Sequence, residues 1–326
     1  MSSEEASVAA TATRPVKASS DRHLEFVSFN SKGGLLLGCS DLCGRTWTGS
    51  AWYYHDPKEA PEGDSAAIVE CDDGVSDGLF LNDDMVVVAL DSGALETLVL
   101  KEGPYFERVS AIIEHDDLIT GLTRSPDSIM TSSYDKTIVV YDIATSLALN
   151  TRLHSWDLVT DVASNPLDPF ILASGSCDGI VHIWDLRSPT FPSIAYDNAS
   201  DWPTALTWSP QDDKSLLVGM QSGEIGNYDL RQLKCPPVSS TNSMDKQIHR
   251  IVFSPTIPDI FAVSADSYPV RIFDIEGFKT IYKDERHEDF VRGLAWHPKN
   301  KDLWTCGWDR RVLSHSLDFL ENKNVA

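Results

Sequence analysis

The stretch Leu147–Arg187, LALNTRLHSWDLVTDVASNPLDPFILASGSCDGIVHIWDLR, decides how this chain is read. It runs from His154 through an Asn-Pro turn to an apolar segment ending in Ser-Gly-Ser. A tight Asp-Gly turn and a Trp-Asp ending follow. Val159–Ala163, Ile171–Ser174 and Ile180–Trp184 are short, apolar and bounded by Pro, Gly and Asp, the pattern of successive β-strands.

Laid along the chain, the Trp184-Asp185 ending recurs. Backward it meets Tyr141-Asp142, Leu98-Val99 and His55-Asp56 at steps of 43 residues. Forward it meets Tyr228-Asp229, Phe273-Asp274 and a degenerate His315-Ser316 at steps of 44, 45 and 42. The prolines at 126, 166, 210, 255 and 298 form a second ruler, with steps of 40, 44, 45 and 43. Two independent markers thus define seven units. Units of this length, built of three or four short strands with a Trp-Asp mark, resemble the blades of the WD-repeat propeller family. The expected fold is all-β, a seven-bladed WD-repeat β-propeller over residues 21–320, with a flexible tail at 1–20 and a C-terminal tail at 321–326. A lone blade cannot cover both faces, whereas seven around an axis can. The last unit needs an outer strand to lock the ring. Arg14–Ser20 is its expected source, with the C-terminal segment as the alternative.

The 326 residues are 42% apolar and carry a formal charge of −22. So acidic a surface repels phosphates, which argues against direct nucleic-acid or anionic-membrane binding and for a basic partner; acidity also simply keeps a protein soluble. The cysteines at 39, 43, 71, 177, 235 and 306 include no Cys-x-x-Cys pair. They are expected as reduced core residues of an intracellular protein, not as disulfides or a zinc site. The longest clean apolar run, Met85–Leu90, is too short to span a membrane, and residues 1–20 lack the apolar segment of a signal peptide. There is no Gly-x-Ser-x-Gly, metal-spaced His/Glu pair, phosphate loop or methyl-donor glycine motif, so neither an enzyme nor a cofactor or metal is expected.

His115, His154 and His287 precede the innermost strands of their units, and Asp135, Asp178 and Asp309 sit in the turns before the third strands. Such residues resemble the His–Asp–Ser–Trp hydrogen-bond tetrad of WD-repeat blades. His154, Asp178, a serine at Ser174 or Ser176, and Trp184 fit it in full. A catalytic trio would use the same residue types, but recurrence from blade to blade marks a scaffold.

Unit one departs from the ruler. Between Leu35–Ser40 and Ala51–Asp56 stand ten residues, 41–50, where unit four has three, 177–179. The expectation is a projecting loop without strand pattern, carrying Arg45 and Trp47 between Gly44 and Gly49. Trp and Arg dominate binding hot spots, and long insertions are rarely core. The competing possibility is that Trp47 folds back on its own blade.

Here the resemblance narrows. Gly34-Leu35-Leu36-Leu37-Gly38, the block from Gly44 to Trp52, Asp56-Pro57, the segment from Val87 to Glu96, Glu114-His115-Asp116-Asp117, the segment from His287 to Arg292, and Gly307-Trp308-Asp309 carry it. From about Leu24 to about His315 the chain closely resembles the family of methylosome protein 50, the WD-repeat subunit of the methylosome. That resemblance implies a non-catalytic scaffold subunit, cytoplasmic and nuclear. It would dock the type II, symmetric-dimethylating protein arginine methyltransferase through the first blade and help present histones and spliceosomal Sm proteins. The family's docking tryptophan carries over onto Trp47, with Gly44, Arg45 and Gly49 shaping its loop; Trp52 is either a further contact or, since it begins a strand, a core residue. The N-terminal tail does not match, so recruitment through a tail is not implied.

Between Asp56 and Asp91 stand eleven Asp and Glu against the single Lys58, a composition suited either to arginine-rich tails or to a solvated acidic rim. Trp184-Asp185-Leu186-Arg187 and Tyr228-Asp229-Leu230-Arg231 resemble the boxes by which WD-repeat substrate receptors meet cullin–RING ubiquitin ligase adaptors, with Arg187 and Arg231 as contacts. The same arginines could instead pair with carboxylates at the blade edge.

Overall fold

Small and apolar runs such as ILASGS (171–176) and IFAVSA (260–265) form strands buried on both faces, because each lies inside a sheet that is itself packed on two sides. Seven such sheets surround an axis in the computed structural model, which describes residues 23–43, 46–103, 105–145, 147–188, 192–232 and 236–318. Among the described residues, six sheets have four antiparallel strands in sequence order, and the last has three, Val291–Trp296, Leu303–Gly307 and Val312–His315. The protein is an all-β, seven-bladed propeller; one 3-10 turn, Pro57–Glu59, is its only helical element among the described residues.

The core is divided among the blade interfaces. Val159, Val162, Leu172 and Trp184 of blade four pack on Met130, Ile138 and Val140 of blade three. Ala163, Ala173 and Val181 on the other face meet Leu206, Trp208 and Leu216 of blade five. The same packing joins blade seven to blade one, where Trp304 and Cys306 lie against Leu24, Leu37 and Trp52. Among the described residues, blades seven and one meet through a side-chain interface like the others. The segments expected to supply an outer strand, 14–20 and the C-terminal residues after 318, lie outside the described residues, as do the tails at 1–20 and 321–326.

Each innermost strand slips register against its neighbour near its start, after the first residue in six blades, as between Val159 and Asp161 or Val291 and Gly293, and after the second, Leu24, in blade one. The slip turns the residue in between toward the axis. Glu25, Ser76, Thr120, Thr160, Thr204, His249 and Arg292 occupy this place in the seven blades and line a central cavity of about 940 Å³. Three of them tie blades together: the hydroxyls of Thr120, Thr160 and Thr204 donate to the Val159, Pro203 and Ile248 carbonyls at 2.9, 2.7 and 2.7 Å.

Candidate functional site

The segment expected to be a loop is a β-ribbon. Leu35–Cys43 and Thr46–Tyr54 stay paired through Asp41↔Thr48 and Leu42↔Trp47 to Cys43↔Thr46. Among the described residues the flanking pairings end at His23 opposite Ser40 and at Cys71 opposite Gly49. Residues 41–43 and 46–48 continue as two paired strands with no further neighbour among the described residues. The alternation Thr46-Trp47-Thr48 favours this, since threonine and tryptophan suit a pleated, half-exposed surface. Gly44 and Arg45 lie outside the described residues.

Trp47 and Leu42 face each other across the ribbon, 39% and 52% exposed. Leu42 was not singled out from the sequence; placing a two-residue turn at Gly44-Arg45 would have paired it with Trp47. The inner side of Trp47 rests near the His23 ring, centroids 5.9 Å apart, and His23 lies 5.0 Å from Trp308 of blade seven. The Arg292 guanidinium stands 5.3 Å over Trp308, and the Trp308 indole donates to Glu25 Oε1 at 3.1 Å. Burial raises the Glu25 carboxyl, against the attraction of Arg292 and the Trp308 hydrogen bond.

Two assigned contact residues have structural places instead. Trp52 is 2% exposed, inside the interface of blades one and seven, and its indole donates to Ser50 Oγ at 2.7 Å. It cannot meet a partner. Gly49 shapes no loop: it sits within the sheet, where an added Cβ would stand 2.5 Å from the Asp73 carbonyl oxygen and 2.7 Å from Val75. Blade two approaches too closely for a side chain.

The tetrad assigned to blade four is also corrected. Trp184 does donate to Ser174 Oγ at 2.9 Å, but Asp178 bonds Ser176 Oγ and the Ile180 amide, and His154 is exposed at the end of an outer strand. The amides of Tyr134, Cys177 and Trp308 donate to the carbonyls of Leu118, Leu158 and Phe290, which makes those three positions equivalent. Three residues earlier stand His115, Ser155 and His287. His154 is one residue early, so its side chain turns away. Instead His182 is buried beside Trp184, with Trp156 stacked on it at 5.1 Å. His–Asp–Thr chains form elsewhere. His115 meets Asp135 at 2.9 Å and Thr131 at 2.7 Å. His287 meets Asp309 at 2.8 Å and Thr305 at 2.7 Å.

The channel holds the remaining charges. Asp77, counted from sequence within the acidic segment, turns inward and pairs at 2.9 Å with Arg250 of blade six, across the axis. Asp161 accepts from the Val162 and Leu206 amides at 2.8 and 2.7 Å, yet loss of water pushes its carboxyl up to about 7. Burial and the two arginines beside it, Arg292 and Arg250, hold His249 well below the usual imidazole range. Among the described residues no three His, Cys, Asp or Glu side chains converge as metal ligands would.

Arg187 and Arg231, the residues of the adaptor-like boxes, are engaged within their own blades. Arg187 binds Asp185 at 2.7 Å and Asp168 at 3.4 Å; Arg231 binds Asp229 and Asp212, each at 2.8 Å.

Residues 106–142 and 148–185 match the WD domain, G-beta repeat family, and residues 171–291 match the Nucleolar protein 10-like, N-terminal domain family. The chain is 32% identical over 315 residues to "Methylosome protein WDR77" of Xenopus laevis, covering 93% of each chain. Over 190 residues it is 28% identical to the "Peroxisomal targeting signal 2 receptor" of Schizosaccharomyces pombe, covering 56% of this chain and 60% of the receptor. Over 197 residues it is 26% identical to human "WD repeat-containing protein 37", covering 58% and 38%.

Proposed function

Because this chain belongs to the family of methylosome protein WDR77, a WD-repeat propeller family, we propose that it is a non-catalytic scaffold subunit. It binds a type II protein arginine methyltransferase through the first-blade ribbon and helps present basic substrates such as histones and Sm proteins. The observation that carries this reading is the exposed Trp47–Leu42 pair on a ribbon that projects past its own sheet. An aromatic and an aliphatic side chain held outward form the kind of anchor that fills a pocket on a partner. The charge of −22 supports the substrate half of the reading, since arginine-rich tails are drawn to an acidic surface.

The test is a binding titration with the purified methyltransferase. Trp47→Ala is expected to raise Kd by about 30-fold or more, the ~2 kcal/mol loss typical of a hot-spot tryptophan. The melting transition should move little, because Trp47 is 39% exposed and belongs to none of the buried clusters between blades. Unchanged affinity would remove the ribbon from the docking site.

A further inference from the structure

We propose that His23 is the positioning residue of the docking ribbon: its ring, wedged between Trp47 and Trp308, fixes the direction in which Trp47 is presented. The inference rests on the docking reading for its consequence, though not for its geometry.

Beyond Ser40 and Gly49 the ribbon has no neighbouring strand on either side among the described residues. A bare two-stranded ribbon is marginal in water and swings unless its side chains are held. On the inner side Trp47 finds two supports. The Cβ of Trp47 lies over Gly74, where an added Cβ would approach it to 3.4 Å. Its ring meets His23 at 5.9 Å with an interplanar angle of 46°.

His23 is well placed to transmit rigidity. It is the first residue of the innermost strand, anchored by pairing with Ser40, and its other side meets Trp308 at 5.0 Å. Trp308 is itself fixed by the Glu25 hydrogen bond, by Arg292 over its face and by Phe290 at 5.6 Å. The ribbon of blade one is thereby braced on blade seven. Nδ1 of His23 is buried and has no hydrogen-bond partner among the described residues. The residue therefore acts through its ring faces, and a phenyl ring should replace it. A ribbon held in its binding direction loses less freedom on docking, which is how a residue outside the contact raises affinity.

The experiment uses the full chain carrying His23→Ala, His23→Phe or His23→Leu. Hydrogen exchange is read at the amides of 41–43 and 46–48, and affinity for the methyltransferase by titration. His23→Ala and His23→Leu should speed ribbon exchange several-fold and raise Kd about tenfold, the worth of one aromatic pair. His23→Phe should restore both, with the same melting transition throughout. In a Trp47→Ala background His23→Ala should add nothing to the affinity loss. Wild-type ribbon exchange in His23→Ala, or a phenylalanine variant that behaves like alanine, overturns the proposal. Should Trp47→Ala bind like the wild-type chain, the docking reading falls while the exchange measurement still decides the positioning role.

Discussion

At the residue scale, one arginine orders a hydrogen-bond chain through the buried histidines of blade seven. Arg286 Nη2 approaches His315 Nδ1 at 3.1 Å, and a guanidinium can only donate, so Nδ1 accepts. The proton of His315 is then on Nε2, which donates to Thr305 Oγ1 at 2.9 Å. The Thr305 hydroxyl donates to His287 Nε2, and His287 Nδ1 to Asp309. His315 thus takes the part that Trp184 plays in blade four, donating to a strand hydroxyl, but unlike an indole it titrates. Burial lowers its pKa to about 4 from the model-peptide 6.5. Between those values the unfolded chain binds the extra proton and the folded chain does not, so the contribution of His315 to stability is full above pH 6.5 and is lost as pH drops toward 4. The loss attributable to His315 is on the order of 3 kcal/mol. His315→Asn should flatten the stability profile across that window by about one proton. Chemical denaturation at stepped pH checks this, and an unchanged slope would assign the acid sensitivity to other groups.

At the element scale, the ribbon shows what counting residues can reach. Ten residues in place of three marked the departure and put Trp47 on it. Counting did not reveal that the two arms pair, because Gly44 and Gly49 read as loop signals. Gly49 in fact lies inside the sheet. Trp52 looked like a second contact from its closeness to Trp47 in sequence. Five residues further along a strand it has entered the interface of blades one and seven. The two kinds of residue should separate by experiment. Gly49→Ala would force the ribbon away from the Asp73 backbone, at about 1–3 kcal/mol for an overpacked site. It should therefore lower both the melting temperature and the affinity for the methyltransferase, where Trp47→Ala lowers affinity alone. A Gly49→Ala variant that melts like the wild-type chain would mean the ribbon has slack.

At the scale of the whole molecule, the ring creates contacts between blades that are not neighbours. Asp77 and Arg250 meet across the axis, the carboxylate 9% exposed and the guanidinium 26%. Arg250 is also attracted by Asp161 from blade four, so blades two, four and six share one charge network. Removing one partner of a largely buried pair leaves the other charge unpaired. Asp77→Asn is expected to destabilise the propeller by about 3 kcal/mol, whereas Asp77→Leu combined with Arg250→Met should cost less than that single change. Thermal unfolding of the three proteins tests this; equal losses would mean that water already satisfies Arg250.

The sequence by itself determined the number of blades, their strand order and the blade that departs from the rest. Strand periodicity and turn chemistry are local, and each repeat states them again. It also pointed to Trp47, because an insertion is a departure from a known length. Only the tertiary structure decided which histidines complete a tetrad, that Trp52 is core, and that Asp77 turns to the axis. A one-residue offset at His154 reverses the direction of a side chain without disturbing the repeat. The place of Asp77 follows from a bulge and from a partner on the far side of the ring. Such pairings depend on closure, in which residues remote in sequence come within a few ångströms.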